Sequence, residues 1–310
     1  MNSGERALTG AMYASALLAL VKFGVGVGTG SMVVLASAAD SFADAAMSAL
    51  NRWGYGFARA PADEGHPWGH GKIEGALATG QGLMLGGIVI SLFASAVSRI
   101  TSPVMPEVGP AAGILILSAS VSGVLTWILT RASGSERSVV LGADAAHYKV
   151  DLLTHAAAVV GLIIVGLTEL PWLDPLIAIG MAVFMAREAW SVFQEGIAEV
   201  MDEALPPGEQ ALVEAVLAEH VDLVREFHGL RTRRSGPRVF VEVHAVLEPD
   251  MRLADAHLLV QDIACQIQAA LGEPTGARVL VHPDAGGLDD RVDEDDKGRR
   301  LSCLVRESEA

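Results

Sequence analysis

Cysteine is scarce in this chain. Its 310 residues hold two, Cys265 and Cys303, far apart and outside any CxxC pair. That excludes a disulfide scaffold and suits a reduced, cytosolic setting in which both thiols are incidental. Aromatic residues make up 5% and charged residues 19%, against 51% hydrophobic, which excludes a disordered chain or a collagen-like fibre. Basic residues are outnumbered, 22 Lys+Arg against 37 Asp+Glu, for a net charge of -15. So acidic a chain is a poor partner for nucleic acid and a better one for cations. A nucleotide-cradling G-x-x-x-x-G-K-[ST] loop is missing as well: Gly71-Lys72 lacks both the first glycine and the Ser/Thr, which disfavours an ATP-driven pump.

What the sequence has is long apolar blocks. A helical membrane span needs about 20 mostly apolar residues. Six blocks qualify, at 9–29, 32–56, 76–100, 110–131, 139–168 and 172–194. The first is placed like a signal peptide, but it contains Lys22 and runs into a second apolar block, so it reads as a membrane helix. Gly24, Gly26, Gly28 and Gly30 give two overlapping GxxxG spacings that would permit close helix approach. Arg6, Arg52, Arg59, Lys72, Arg131, Arg137 and Arg187 flank the blocks on one side, and Arg99 stands alone on the other. By the positive-inside rule both termini are cytoplasmic, as an even number of spans requires.

The pattern changes after residue 200. Pro206-Pro207-Gly208 breaks the chain, and 208–220 reads as an amphipathic helix. Residues 223–233 and 238–247 read as paired strands with Ser235-Gly236-Pro237 as the turn, 253–271 as a helix and 277–282 as a last strand. The order αββαβ predicts a small α+β domain with its helices on one face of a sheet. The expected fold class is thus an α-helical membrane protein of six transmembrane helices with a C-terminal α+β domain. The expected organisation is 1–205 transmembrane, 206–285 cytoplasmic, and 286–310 an acidic disordered tail around Asp293-Glu-Asp-Asp296.

The most informative residues are charges inside apolar blocks. Asp40 and Asp44 lie four apart in Ala38-Ala-Asp-Ser-Phe-Ala-Asp-Ala-Ala46 and share a helix face. Like charges at that spacing repel, and each centrally placed Asp costs about 2.5–3.5 kcal/mol in a bilayer. A bound divalent cation would offset both penalties. Block five repeats the device in Asp144-Ala-Ala-His-Tyr-Lys-Val-Asp151, where His147 and Asp151 are again four apart. Three carboxylates and an imidazole suit tetrahedral Zn²⁺, whereas Mg²⁺ prefers octahedral oxygen. The alternative is a set of packed polar residues paired with Lys22 or Lys149. Asp144 and His155 extend the stripe of block five, and a supporting or helix-end role suits them better than direct ligation.

Two further groups carry ligand chemistry. The stretch Pro61-Ala-Asp-Glu-Gly-His-Pro-Trp-Gly-His-Gly-Lys72 offers Asp63, His66 and His70, with glycines that let a loop close around an ion or simply form a polar turn. The last third holds His220, His228, His244, His257, His282 and Asp284, with His244 on an expected strand and His282-Pro-Asp284 at the end of another. Spacing alone does not assemble them into one site.

Taken together these motifs resemble the cation diffusion facilitator family, in particular its bacterial zinc transporters. The likeness covers about residues 10–284 and rests on Asp40-x-x-x-Asp44, Asp63…His66-x-x-x-His70-Gly-Lys, His147-x-x-x-Asp151, His228-Gly-Leu-Arg-Thr-Arg-Arg-Ser-Gly236, His244, His257 and Val281-His-Pro-Asp284, all in family order. Glu64 stands where relatives tend to have a second Asp, and Pro67 follows His66.

The resemblance implies six transmembrane helices, a ferredoxin- or metallochaperone-like cytoplasmic domain, and a homodimer in the cell (inner) membrane that exports Zn²⁺, Cd²⁺ or Fe²⁺ against protons. It implies that Asp40, Asp44, His147 and Asp151 form the transport site and Asp63, His66 and His70 a loop site. It assigns His228, His244, His257, His282 and Asp284 to a regulatory zinc site at the cytoplasmic dimer interface, and Lys72 and Asp202 to a salt bridge near the membrane surface. Rival readings are a passive divalent-cation channel and a membrane-anchored metal sensor.

Overall fold

The computed structural model describes residues 3–29, 32–101, 111–168, 170, 173–272 and 277–285; the side chains of some helical residues, Asp40 among them, also lie outside the described set. The chain divides into two units, Met1–Val200 and Met201–Ala310. The expected tail at 286–310 lies outside the described residues.

The first unit consists of α1 (Ser3–Thr29), α2 (Met32–Ala58), α3 (Ile73–Thr101), α4 (Ala111–Glu136), α5 (Val139–Thr168) and α6 (Leu173–Val200). Each has 26 to 30 residues, about 40 Å at 1.5 Å per residue, against a hydrocarbon core of about 30 Å. Among the described residues, three stretches are long and apolar enough by themselves to cross a membrane: Ser3–Val25, Ile73–Ser98 and Gly113–Glu136. The other three helices carry more embedded charge, with Asp40 and Asp44 on α2, Asp144, Lys149 and Asp151 on α5, and Arg187 and Glu188 on α6, while α1 carries Lys22 within its apolar stretch.

The helices pack mainly as α1 on α2, α3 on α6 and α4 on α5, with α5 also against α3 and α6. The expected close approach at the GxxxG spacings does not occur at Gly24 or Gly28, where an added Cβ would meet open space; Gly26 and Gly30 lie outside the described side chains. The tight contact is between α3 and α6. A Cβ on Gly196 would lie 2.4 Å from the Thr79 backbone nitrogen, and one on Gly82 would lie 2.6 Å from that of Phe193. Without a hydrophobic drive between helices in lipid, such close backbone packing supplies much of the association.

One end of the bundle is tied by charge. The Arg59 guanidinium lies 2.6 Å from Glu74, 3.8 Å from Glu136 and 3.5 Å over the Tyr55 ring. Ser138 donates to Glu74, and Ser3 to Glu136. The cluster links α1 through α5, and the fully buried Glu74 is tolerated because it is paired.

The second unit contains α7 (Pro207–Ala218), β1 (Glu226–Ser235), β2 (Arg238–Leu247), α8 (Leu253–Leu271) and β3 (Ala277–Ala285). This is the expected αββαβ order. Pro207 opens α7, where its missing N–H is harmless, and Gly272 closes α8 at φ 56. The sheet order is β1-β2-β3, with β1 antiparallel and β3 parallel to β2. The parallel pairing needs the α8 crossover. Val239, Val241, Val243, Ala245 and Leu247 alternate along β2 onto the covered face, where they meet Ile263 and Ile267 of α8 and Val213 and Leu217 of α7. The residues between them, His244 included, occupy the other face.

Replacing Gly196 by Val is expected to destabilise the helical unit by about 1–3 kcal/mol, because the overpacked backbone has no room to yield. Gly24→Val is expected to leave it unchanged. Thermal or denaturant unfolding of the detergent-solubilised protein compares the two.

Candidate metal centres

α2 and α5 present matching stripes. On α2, Asp44, Ser48 and Asn51 fall at i, i+4 and i+7; on α5, Asp144, His147, Tyr148 and Asp151 fall at i, i+3, i+4 and i+7. Where the stripes meet they form two polar layers. In the first, His147 Nε2 lies 2.9 Å from Asp44 Oδ1 and 3.6 Å from Asp151 Oδ2. Bond lengths of about 2.1 Å to a tetrahedral ion put ligand atoms about 3.4 Å apart, so these spacings bracket what one ion requires. His147 is 3% exposed. The group lines a cavity of about 500 Å³ with Lys22, Ser41 and His155. The Asp40 side chain lies outside the described residues, one turn from Asp44 on the same helix.

The second layer surrounds Asp144. It accepts hydrogen bonds from Asn51 Nδ2 at 2.9 Å, from Ser48 Oγ at 3.3 Å and from Gln81 Nε2 at 3.4 Å. The Tyr148 hydroxyl bonds Ser48 and Ser15 at 2.8 and 2.7 Å. Asp144 is wholly buried and falls outside the His147 ligand group. It lies in the second turn of α5, where it ties α2, α3 and α5 together beneath the cluster, and Tyr148 adds α1 through Ser15. The other members of this layer, Ser15, Ser48, Asn51 and Gln81, are not ionisable and carry no mark of their own in the sequence. The α2 spacing of Asp44, Ser48 and Asn51 was the available signal. Lys149 does not pair with the described acids of the two stripes, since its ammonium lies 2.8 Å from Glu188 of α6.

The loop between α2 and α3 brings Asp63, His66 and His70 together. His66 Nδ1 and His70 Nε2 are each 3.2 Å from an Asp63 oxygen and 3.2 Å from one another. Gly69 makes the turn at φ 88, a value costly for other residues. The His66 backbone N–H donates to Asp63 Oδ1 at 2.7 Å and holds that carboxyl below its usual range. Asp63 therefore remains an anion in mildly acidic solution. His70 is buried against Phe57, whereas Asp63 and His66 are exposed, which leaves the loop open to an ion from solvent. Glu64 is exposed beside it and falls outside the ligand group.

In the second unit the strand register does the assembling. His228 pairs with His244 across the antiparallel ladder, and His244 with His282 across the parallel one. Three histidines thus stand in a row on the face opposite the helices, with ring centroids 5.1 and 4.9 Å apart. Asp284, two residues beyond His282, shares that face. Its carboxylate lies 2.9 Å from His244 Nδ1, 2.7 Å from His282 Nδ1 and 3.6 Å from His228 Nε2. A bulge at Gly229, with φ 62, keeps Phe227 and Leu230 on the core face while His228 and Arg231 point the other way. His257 is exposed on α8 and is not brought into the row; His220 is buried, its Nδ1 on the Val216 carbonyl. Lys72 donates to the Val200 carbonyl at 3.2 Å, and Asp202 pairs with Arg233 at 3.0 Å.

Among the described residues, then, three groups have the donor set and spacing to hold a metal ion: Asp44/His147/Asp151, Asp63/His66/His70 and His228/His244/Asp284. A membrane-length helical bundle with one such group inside it defines a membrane protein that handles cations. Residues 8–201 match the cation efflux transmembrane domain, and 205–285 match the cytoplasmic domain of cation efflux proteins. The chain belongs to the cation efflux, or cation diffusion facilitator, family. It is 32% identical over 292 residues to the cation-efflux pump FieF of Cronobacter sakazakii, covering 90% of this chain and 92% of that one. It is 31% identical over 265 residues to an uncharacterized transporter of Synechocystis, covering 84% of each. Among solved structures, the Zn form of a candidate zinc transporter, CzrB, is similar at 34% identity and a TM-score of 0.26, covering 29% of this chain and 99% of that one. The protein is therefore a transporter that moves metal cations out, not an enzyme.

Asp284→Asn is expected to lower Zn²⁺ affinity of the cytoplasmic row by at least about tenfold, since the carboxylate touches all three imidazoles. Chelator competition on the full-length protein measures it. The covered face of the sheet is untouched, so the fold should persist.

Proposed function

We propose that this protein exports Zn²⁺ from the cytoplasm in exchange for protons, by alternating access at the Asp44–His147–Asp151 cluster with Asp40 as a fourth ligand. The observation that supports this best is the meeting of those three side chains, from two helices, in one cavity within the membrane-length bundle. Cd²⁺ and Fe²⁺ accept the same nitrogen and oxygen donors, so affinity alone does not separate them from Zn²⁺.

Coupling follows from the chemistry of the ligands. Zn²⁺ needs neutral imidazole and ionised carboxylate, so binding from the cytoplasm expels protons. His147 is already shared between two carboxylates through one nitrogen, so a proton there and a metal ion there compete for the same oxygens. When the cluster faces outward, a higher proton concentration reloads it and the metal leaves. Protons are then carried inward during the reset. A cluster that holds its ion this closely favours stepwise transport over open conduction, which needs ions to leave easily.

In this reading the protein is a homodimer in the cell (inner) membrane with both termini cytoplasmic. The loop group captures or stabilises metal near the helix ends. The His228/His244/Asp284 row, with His282 and with His257 as a further ligand, binds regulatory Zn²⁺ between two cytoplasmic domains. Such binding regulates only by favouring one arrangement of the dimer over another.

The test is Zn²⁺ flux in proteoliposomes with and without a pH gradient. Gradient-driven flux that falls at least about 100-fold in Asp44→Ala supports the exchanger. Flux indifferent to the gradient would mean a channel, and no flux in the unmodified protein would mean a sensor.

A further inference from the structure

Lys22 lies where a cation transporter has least need of a positive charge. It is 2% exposed on α1, buried in the helical unit, and it lines the same cavity as Asp44, His147 and Asp151. Its ammonium donates to Ser41 Oγ at 2.8 Å. Ser41 is three residues before Asp44 on α2, hence on the same face. This is a different situation from Lys149, whose side chain is 41% exposed and paired with Glu188.

An ammonium in an apolar interior is stable only near negative charge. The cavity's carboxylates supply that charge, so their negative potential is shared between Lys22 and whatever ion enters. A dication bound by Asp44, His147 and Asp151 is repelled by Lys22. When it leaves, Lys22 stays and offsets part of the exposed negative charge. Water does not screen this interaction fully, because the cavity is bounded by Met47, Met84, Ile88 and Leu92.

We propose that Lys22 is a tethered competitor of the cargo: its charge weakens metal binding at the transport cluster and so speeds release. The inference rests on the reading of Asp44, His147 and Asp151 as the transport site, but it assigns a role to a residue outside the ligand set.

The experiment uses the full-length protein, with Zn²⁺ as the probe in chelator competition and in proteoliposome flux. Lys22→Met, similar in length and uncharged, is expected to tighten Zn²⁺ at this site about tenfold and to lower both KM and maximal rate. Lys22→Gln, which keeps a donor for Ser41, is expected to do the same and serves if the Met variant does not fold. Lys22→Arg is expected to match the unmodified protein. Unchanged or weaker binding in both uncharged variants overturns the proposal, as does an Arg variant that behaves like Met. Asp44→Ala separates the two levels of inference. If it leaves this binding intact, the reading of the transport site fails; if it abolishes binding while loss of the Lys22 charge changes nothing, only the role of Lys22 fails.

Discussion

The structure turns on one shared imidazole nitrogen. His147 Nε2 faces Asp44 on one helix and Asp151 on its own. Each carboxylate by itself would be a costly guest in an apolar bundle, and two of them together worse. A cation between them, whether the proton on His147 or a metal ion, removes the penalty. The two occupants are mutually exclusive because they use the same lone pairs. In the proposed exchange that exclusion is the coupling device, and it requires α2 and α5 to meet with their polar stripes in register.

The surroundings hold that register. Beneath the cluster, Asp144 collects donors from Ser48, Asn51 and Gln81, and Tyr148 reaches Ser15. Buried polar groups of this kind are tolerated only when satisfied, and once satisfied they resist sliding of one helix past another. The α3–α6 contact at Gly75, Gly82 and Gly196 and the Arg59 cluster at one end of the bundle restrain the remaining helices. The cytoplasmic row relies on a different device. A strand register, not a helix stripe, aligns its three histidines, and a single glycine bulge sets which face His228 occupies.

Much of this was legible in the chain itself. Apolar blocks mark the six long helices, because a bilayer imposes their length. The alternation of Val239, Val241 and Val243 marks a half-covered strand, because a sheet imposes that period. Asp44, His147 and Asp151 stand out because charge in an apolar block demands a reason. Other features could not be read this way. Gly24 and Gly28 look like part of a packing seam but meet open space, whereas among the described residues glycines on α3 and α6 bring two backbones close. Ser48, Asn51 and Gln81 look like ordinary polar residues until Asp144 is placed among them.

By itself the sequence determined which residues can bear charge, ligate metal or face lipid, since periodicity and side-chain chemistry are local properties. Only the tertiary structure decided which of them meet. It joined Asp44 to His147 across 103 positions and aligned His228, His244 and His282 across three strands. It set Lys22 in the cavity that Asp44, His147 and Asp151 line and left His257 exposed on its helix. The reason is that a binding site is a set of distances between segments remote along the chain, and packing of the elements that carry them is what sets those distances.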